Sequence, residues 1–331
     1  MVESIPKVMS LWNVADTRGP VSLKFSEQPV PEIGDNQVLV KLKGASLNYR
    51  DLMIVNGEYP FPLKDNIVPG SDGAGIVLAI GKHVTRFSPG DKVVMTTLDG
   101  TFRTIGAFDV QGLVKMPEGL SFVEAATLTV AGTTAWNALF GGGRPLTAGQ
   151  WILTQGTGGV SLFVVQFAKL VGARVISTTS SAEKADLLRK LGADHVVNYR
   201  NVPEWGAEAK KITGGLGVDF VVDVTGPSGL GQSVQSVAPD GTIVVVGAVA
   251  GLGGDAKMPT LLDTWLNLFT CRGVWVGSRM HMEDMCRAID GNVERLRPVL
   301  DLKVFKLEEL KEAYEYMAAG KHSGKVGIEI P

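Results

Sequence analysis

The run Gly156-Thr157-Gly158-Gly159-Val160-Ser161 follows the apolar segment Trp151-Ile152-Leu153-Thr154-Gln155 and precedes a second apolar stretch. Glycines at this spacing let a backbone approach an anion closely. A helix N-terminus just beyond them supplies unpaired amides and the positive end of its dipole. Strand, glycine turn and helix in that order make a diphosphate site, and this context separates a dinucleotide fingerprint from an ordinary turn. The pattern G-x-G-x-x-G is met at Gly156 and Gly158 but ends on Ser161. Gly156, Thr157, Gly158, Gly159 and Val160 are therefore candidate cofactor-binding residues.

The next strand-like run ends Ser177-Thr178-Thr179-Ser180-Ser181. An NAD-binding chain places an acidic residue about 20 residues past the glycines, where it holds the ribose hydroxyls. Here no acid occurs before Glu183, and Ser180 and Lys184 stand in that region. An acid would repel a 2′-phosphate, whereas a hydroxyl and an ammonium bind it with charge-assisted hydrogen bonds. The reading is NADP(H). The alternative is that Ser180 caps the following helix and Lys184 lies on its solvated face. Tyr199, after the third strand, is a candidate for the adenosine end.

These residues need elements to hold them. Apolar runs at Trp151–Gln155, Arg174–Thr178, His195–Asn198, Phe220–Val224, Thr242–Ala248 and Gly273–Val276 alternate with helical stretches. The helices are expected at Val160–Val171, Ala182–Leu191, Glu204–Ile212, Gly229–Ser236 and Met282–Gly291. Near-continuous apolar strands fit a parallel sheet covered on both faces, and the alternation fits a doubly wound α/β domain. Before it, Gln37–Leu42 alternates polar and apolar residues, Gly75–Gly81 is bounded by glycines, and Ser88-Pro89-Gly90-Asp91 is a turn before Lys92-Val93-Val94. That region reads as a compact β-barrel-like domain. Ser121 with Glu124 fits a capping box opening a helix to about Phe140. After about Asn292 come one amphipathic helix, Leu307–Ala318, and a strand, Lys325–Ile330, expected to rejoin the first domain.

The 331 residues exceed what one core usually supports, so two domains are expected. With 45% hydrophobic and 20% charged residues, disorder is excluded as the general state. A net charge of −2 excludes a broadly basic nucleic-acid surface. Cys271 and Cys286 are too few for a disulfide framework or a cysteine-rich zinc site. Met1–Trp12 does not read as a signal peptide, and the longest apolar stretch, Ile243–Leu252, is too short to span a bilayer. The expectation is a cytoplasmic protein with no membrane or nucleic-acid partner.

Several stretches together resemble the medium-chain dehydrogenase/reductase superfamily, and within it the zinc-independent quinone-oxidoreductase and enoyl-reductase branch. They are Ala45-Ser46-Leu47-Asn48-Tyr49-Arg50-Asp51-Leu52, Pro69-Gly70-Ser71-Asp72-Gly73-Ala74-Gly75, Ala131-Gly132-Thr133-Thr134-Ala135-Trp136 and the glycine turn. Gly192-Ala193-Asp194, Val276-Gly277-Ser278-Arg279 and His322-Ser323-Gly324-Lys325 also fit, so the resemblance covers nearly the whole chain. It implies an α/β fold: a GroES-like β-rich catalytic domain over residues 1–125, a Rossmann NADP(H)-binding domain over 126–280, and a return to the catalytic domain over 281–331. The connection Met95–Asp99 is shorter than relatives of this subtype often carry, which leaves the entrance unlidded or the chain incomplete there.

Zinc-dependent members of the superfamily take metal ligands from positions that hold Asn48, Ser71 and Val130 here. Catalytic zinc needs about three protein ligands with nitrogen or sulfur donors. His83, His195, His281 and His322 show no ligand spacing, so no metal is expected. Without a Lewis acid to lower the proton affinity of an alcohol, the easier hydride transfer is reduction of an electron-poor acceptor. An enone, an enoyl thioester or a quinone fits. Rival expectations are an aldehyde or ketone reductase and a non-catalytic NADPH-binding protein.

The resemblance also implies site residues. Tyr49 is the candidate hydrogen-bond or proton donor, since a tyrosine in an Asn-Tyr-x-Asp segment faces the nicotinamide in related zinc-free reductases; the alternative is a packing tyrosine. Asn48 is a candidate partner for the nicotinamide ribose or the substrate carbonyl, and Asp51 is expected to order the loop. Thr134 falls at the nicotinamide end. Gly247, Ala248 and Val249 follow a Rossmann strand, where ligands gather. Ser278 and Arg279 follow the last strand, and Arg279 is read as a ligand for cofactor phosphate or substrate carboxylate, or as a surface charge at a helix start. Lys325 is expected to reach the cofactor from the tail. The substrate is a small molecule, free or bound to an acyl carrier or coenzyme A. A homodimer is expected through pairing of the last strand with its copy.

Overall fold

A computed structural model describes residues 5–97, 100–251, 253 and 258–331, so Leu98 and Asp99 of the short connection lie outside the described residues. The chain divides into two units, residues 1–133 with 278–331, and residues 134–277. The first division falls within the helical segment after Ser121 rather than at 125/126, and the second falls just before Ser278 rather than after residue 280.

The first unit begins with a hairpin of β1 (Val8–Val14) and β2 (Leu23–Pro29). Its centre is β3 (Gln37–Ser46), whose alternation runs past Leu42 to Ser46. Helix α1 (Tyr49–Asn56) follows directly. Then come β4 (Asp72–Ile80), β5 (Lys92–Met95), β6 (Ile105–Asp109) and β7 (Leu113–Lys115). β3 pairs antiparallel with both β4 and β6, and register shifts along β3–β4 bend the strand around the core, as bulges do. β4 starts at Asp72, earlier than its glycine-bounded run indicated, which sets Asp72 directly across from Ser46. Gly44 is required by proximity: a Cβ there would lie 2.4 Å from the carbonyl carbon of Phe122.

Helix α2 (Phe122–Ala126) opens on the expected box, with Glu124 N donating to Ser121 Oγ at 3.2 Å and Ser121 N to Glu124 Oε2 at 2.7 Å. The expected single helix is interrupted by a π-turn at Leu128–Gly132 before α3 (Thr133–Phe140) resumes. The wider turn frees groups for outside partners: Val130 N donates to Asp72 Oδ1 at 2.9 Å and Thr129 Oγ1 to Met95 O at 2.6 Å.

The second unit alternates β8 (Trp151–Gln155), α4 (Gly159–Leu170), β9 (Arg174–Thr179), α5 (Ala182–Lys190), β10 (His195–Asn198), α6 (Trp205–Ile212) and β11 (Val218–Asp223). It continues through α7 (Pro227–Ser236), β12 (Val237–Val245), α8 (Leu261–Leu266) and β13 (Thr270–Gly273). All strands are parallel, in the order β10-β9-β8-β11-β12-β13. This is the doubly wound Rossmann order. Two strand ends differ from the apolar runs. β12 stops at Val245, and β13 ends at Gly273, where the run Gly273–Val276 had placed its start. Val276 sits at φ 53°, a left-handed conformation that a β-branched residue rarely adopts and that no strand continues through. Asn137 Nδ2 holds its carbonyl at 2.8 Å.

After residue 277 the chain rejoins the first unit through α9 (Arg279–Asp290), α10 (Val293–Leu296), β14 (Phe305–Lys306), α11 (Leu310–Ala318) and β15 (Gly327–Glu329). β15 pairs antiparallel with the end of β3, with Gly327 opposite Ser46, so the tail rejoins as expected. Tyr314 of α11 is fully buried with its ring edge-on to Phe102 at 6.3 Å.

Candidate active site

The glycine turn leaves a helix end open. Gly156 adopts φ +75°, which requires glycine, and its N–H donates to Thr178 O at 2.8 Å. Gly158 is the N-cap of α4 with φ −73°, is exposed, and has open space within 4 Å of an added Cβ. Neither backbone strain nor a protein neighbour demands glycine there. No side chain caps the first amides of α4, at Gly159, Val160 and Ser161. These amides fit a diphosphate. Thr157 is buried in the turn. Ser161 replaces the third glycine of the fingerprint by turning its hydroxyl inward, to Gln155 O at 2.6 Å.

The ends of β8 and β11, where the strand order reverses, are tied by a buried polar network. Gln155 Nε2 donates to Asp223 Oδ2 and to Ser233 Oγ, each at 3.0 Å. Gln155 Oε1 accepts from Thr225 Oγ1 at 3.0 Å, and Gly226 N donates to Asp223 Oδ1 at 2.8 Å. Sequence reading missed Gln155 and Asp223; a polar residue closing each apolar strand was the available signal. Gly247, Ala248 and Val249 lie past the end of β12, with Val249 N bonded to Val224 O at 3.0 Å, so they sit at the same carboxyl ends. Ligands gather at such a switch point.

Beside it, β9 ends in hydroxyls. Ser181, not Ser180, caps α5, accepting from Lys184 N at 3.3 Å, so capping does not explain Ser180. Lys184 lies in the first turn of α5, half-buried. Tyr199 is exposed, with its N–H on Thr179 O at 3.0 Å, which sets the end of β10 against the end of β9. Arg200 follows it, also exposed; sequence reading stopped one residue short of this cation. Thr134 is buried in α3.

The first unit holds a separate buried cluster, produced by strand register. Ser46 ends β3, Asp72 opens β4 opposite it, and Lys325 lies two residues before Gly327, Ser46's other partner. Ser46 Oγ donates to Asp72 Oδ2 at 2.5 Å. Lys325 Nζ lies 2.9 Å from Asp72 Oδ2 and donates to Leu47 O at 2.7 Å and Asn48 Oδ1 at 2.5 Å. An ammonium has three donors, and all three are taken within the first unit. The Lys325 donors thus go to Leu47, Asn48 and Asp72. Asn48 caps α1, with its N–H on Asp51 Oδ2 at 2.8 Å, so Asp51 orders this turn. Tyr49, the first residue of α1, is half-buried with its ring against the core. Burial pushes the Asp51 carboxyl up to about 6, opposed by nearby Arg50 and the Asn48 amide.

Ser278 and Arg279 open the helix α9. Ser278 caps α9, accepting from His281 N at 3.3 Å, and Arg279 Nη1 lies 3.7 Å from Glu283 Oε1 one turn on.

A reversed-order parallel sheet with an open glycine turn at its first strand, joined to a GroES-like β unit, defines a nicotinamide-dependent oxidoreductase. Residues 34–131 match the family described as "Alcohol dehydrogenase GroES-like domain", and residues 159–291 match "Zinc-binding dehydrogenase". The chain belongs to the medium-chain dehydrogenase/reductase superfamily. It is 42% identical to a zinc-type alcohol dehydrogenase-like protein of Schizosaccharomyces pombe, over 93% of this chain and 95% of that one. Among solved structures, it is similar to a putative alcohol dehydrogenase from Sinorhizobium meliloti at 37% identity and TM-score 0.88, covering 98% of this chain and all (100%) of the other. A quinone oxidoreductase from Pseudomonas syringae aligns at 25% identity and TM-score 0.87, over 97% and 99% of the two chains.

The second family name implies zinc, but the residues present do not fit it. Asn48 and Ser71 offer an amide and a hydroxyl, Asn48 Nδ2 lies 3.5 Å from Ser71 Oγ, and the Lys325 ammonium sits directly on Asn48 Oδ1 and Asp72. Zinc takes thiolate, imidazole or carboxylate donors. A cation already bonded to the only carboxylate of this donor set would repel a second one. Among the described residues no group of three His, Cys, Asp or Glu side chains could hold a metal.

Two expectations follow. Gly158→Asp should weaken dinucleotide binding at least about tenfold, roughly 1.4 kcal/mol, because it places a carboxylate where the diphosphate binds. Since Asp is a favourable N-cap, the melting temperature should hold or rise. Titration calorimetry with a melting curve reads both, and unchanged affinity would remove the cradle. For Asp51, a folded value near 6 lies above the ordinary carboxylate value, so its protonated form stabilises the fold. That contribution is full below about pH 4 and is lost as pH rises through about 6. Asp51→Asn should remove a decline on the order of 2 to 3 kcal/mol across this window; parallel urea-midpoint profiles for the two proteins would refute the assignment.

Proposed function

We propose that the protein is a zinc-independent, NADPH-dependent reductase that transfers hydride to an activated C=C bond, as in an enone or enoyl thioester, or to a quinone. The observation that carries this reading is the donor set of the first unit: Asn48, Ser71 and Val130 stand at the positions of the metal ligands, and the buried Lys325 ammonium sits on Asn48 Oδ1. Such groups hydrogen-bond to developing negative charge but do not lower the proton affinity of an alcohol as a Lewis acid does. The acceptor must therefore be electron-poor already. Tyr49 and Asn48 serve as donors to it. The residues after β9 support NADPH: Ser180 freed of capping, Lys184, and the absence of an acid between Thr179 and Ser181. The relatives named alcohol dehydrogenases favour a second reading, reduction of an aldehyde or ketone.

The protein is further proposed to be a cytoplasmic homodimer. Both cysteines are free, as in a reducing compartment, and among the described residues no helix is long and apolar enough to cross a membrane. Among the described residues β13 leaves one edge of the sheet unpaired, and α8 beside it in sequence exposes Leu261, Leu262, Trp265 and Leu266. A second copy of the chain, pairing edge to edge across a twofold axis, covers both. Sedimentation should give a dimer that Leu262→Glu/Trp265→Glu converts to monomer; a wild-type monomer at micromolar concentration would rule the interface out.

Activity is tested by following NADPH oxidation with a quinone, a linear enone, an enoyl thioester, an aldehyde and a ketone, with NADH and a chelator as controls. Chelator-resistant, NADPH-selective reduction of the enone, thioester or quinone is expected. Turnover of carbonyl compounds alone would establish the second reading, and silence with NADPH bound would point to a binding protein. Lys184→Ala should cost NADPH about 1.5 to 3 kcal/mol and leave NADH unchanged, the range for hydrogen bonds to charged groups. Tyr49→Phe should slow hydride transfer while NADPH affinity holds; unimpaired turnover would return Tyr49 to packing.

A further inference from the structure

Lys325 does more than neutralise Asp72. An ammonium only donates, so the Asn48 atom lying 2.5 Å from Nζ is necessarily the carbonyl oxygen of the amide. This settles the orientation of a group whose oxygen and nitrogen are otherwise interchangeable. The Nδ2 end must face the other way, where its protein partner, Ser71 Oγ, stands at a long 3.5 Å. Asn48 is the N-cap of α1, a position whose side-chain oxygen ordinarily bonds the first turn. Here that oxygen also accepts from the lysine, and beyond the long bond to Ser71 Oγ the amide keeps an N–H for another acceptor. A cation on the oxygen draws electron density from the nitrogen, which strengthens its N–H as a donor.

We propose that Lys325 is a positioning residue for the reduction: its ammonium fixes and polarises the Asn48 carboxamide, so that Asn48 Nδ2–H bonds the acceptor oxygen on which negative charge develops. The inference rests on the reductase reading above. In the step it serves, a bound nicotinamide would supply the hydride that forms a C–H bond at the β-carbon of an enone or enoyl thioester. The C=C π pair would shift to give an enolate oxygen, the two electrons having come from the nicotinamide, which would be left oxidised. A proton delivered from water or Tyr49 to the α-carbon completes the saturated product. Asn48 holds the enolate oxygen between the two events. Asp72, buried and bonded to Ser46 Oγ and Val130 N, holds Lys325 in place.

The test combines Asn48→Ala, Lys325→Met, their double variant, and Asp72→Asn/Lys325→Met, which removes both charges of the pair and avoids leaving a buried carboxylate alone. Single-turnover NADPH oxidation with an enone should slow about ten- to a hundredfold in Asn48→Ala and in Lys325→Met, as for loss of an oxyanion donor. The NADPH dissociation constant should stay within about twofold. The Asn48→Ala/Lys325→Met double should be no slower than Asn48→Ala, because the lysine acts through the amide. Asp72→Asn/Lys325→Met should match Lys325→Met. Multiplying losses in the double variant would overturn the proposal, as would a Lys325→Met effect on NADPH affinity with hydride transfer intact. A second readout does not depend on turnover. The Asn48 side-chain amide signals, assigned by their disappearance in Asn48→Ala, should shift markedly in Asp72→Asn/Lys325→Met relative to Asp72→Asn alone. Unmoved signals overturn the lock whatever the activity. A wild type that reduces none of the acceptors sinks the reductase reading, while the amide spectra still judge the pairing of Lys325 with Asn48.

Discussion

A buried ammonium has to be paired, and in this protein the pairing of Lys325 with Asp72 fixes the first unit. The two residues are distant in sequence, and they meet because β3 is paired on one side by β4 and on the other by the returning tail strand β15. Removing one partner of such a pair costs about 3 to 5 kcal/mol, since the other charge stays buried. The tail therefore does not simply pack on the β unit; the electrostatics at its end penalise any register but this one. The same pair places the π-turn, through Val130 N on the second Asp72 oxygen, and the start of α1, through Leu47 O and Asn48. One ion pair thus sets strand register, helix entry and side-chain orientation together.

The second unit depends on a different constraint. A parallel sheet buries its strands on both faces, so function can only be built where the strands end. At the switch point between β8 and β11, Gln155 and Asp223 close the two apolar strands with a network that includes Ser233 and Thr225. The side chains of this network are committed to holding loops. That leaves the recognition of an anion to backbone amides at α4, which no side chain occupies.

Much of this architecture is legible in the sequence because it is local. The strand–turn–helix at Trp151–Leu170, the capping box at Ser121 and the alternation at Gln37–Leu42 each depend on neighbours within a few residues, and each matches the fold. Boundaries fail where a long-range contact overrides an apolar run. β13 stops at Gly273 because Val276, in a left-handed conformation, is bonded to Asn137. The site divides the same way. The glycines are visible as a motif, whereas the meeting of Ser46, Asp72 and Lys325 is a product of sheet register that no spacing reveals. The tail motif His322-Ser323-Gly324-Lys325 marks Lys325 as unusual but gives no partner, and the family analogy pointed it at the cofactor. Strand pairing points it at Asn48.

On the proposed reading, the charge that assists the reaction reaches the acceptor indirectly. A divalent metal bound to an oxygen stabilises an alkoxide outright. A single buried ammonium, already balanced by Asp72, has little net field to offer at a distance. What it retains is local polarisation, passed through the Asn48 amide as a hydrogen bond. That suffices for an acceptor whose negative charge is delocalised over an enolate or a quinone, where each oxygen carries only part of it. It does not suffice for a localised alkoxide. The identity of one carboxamide and one lysine would then select the class of acceptor more strongly than the shape of the fold does.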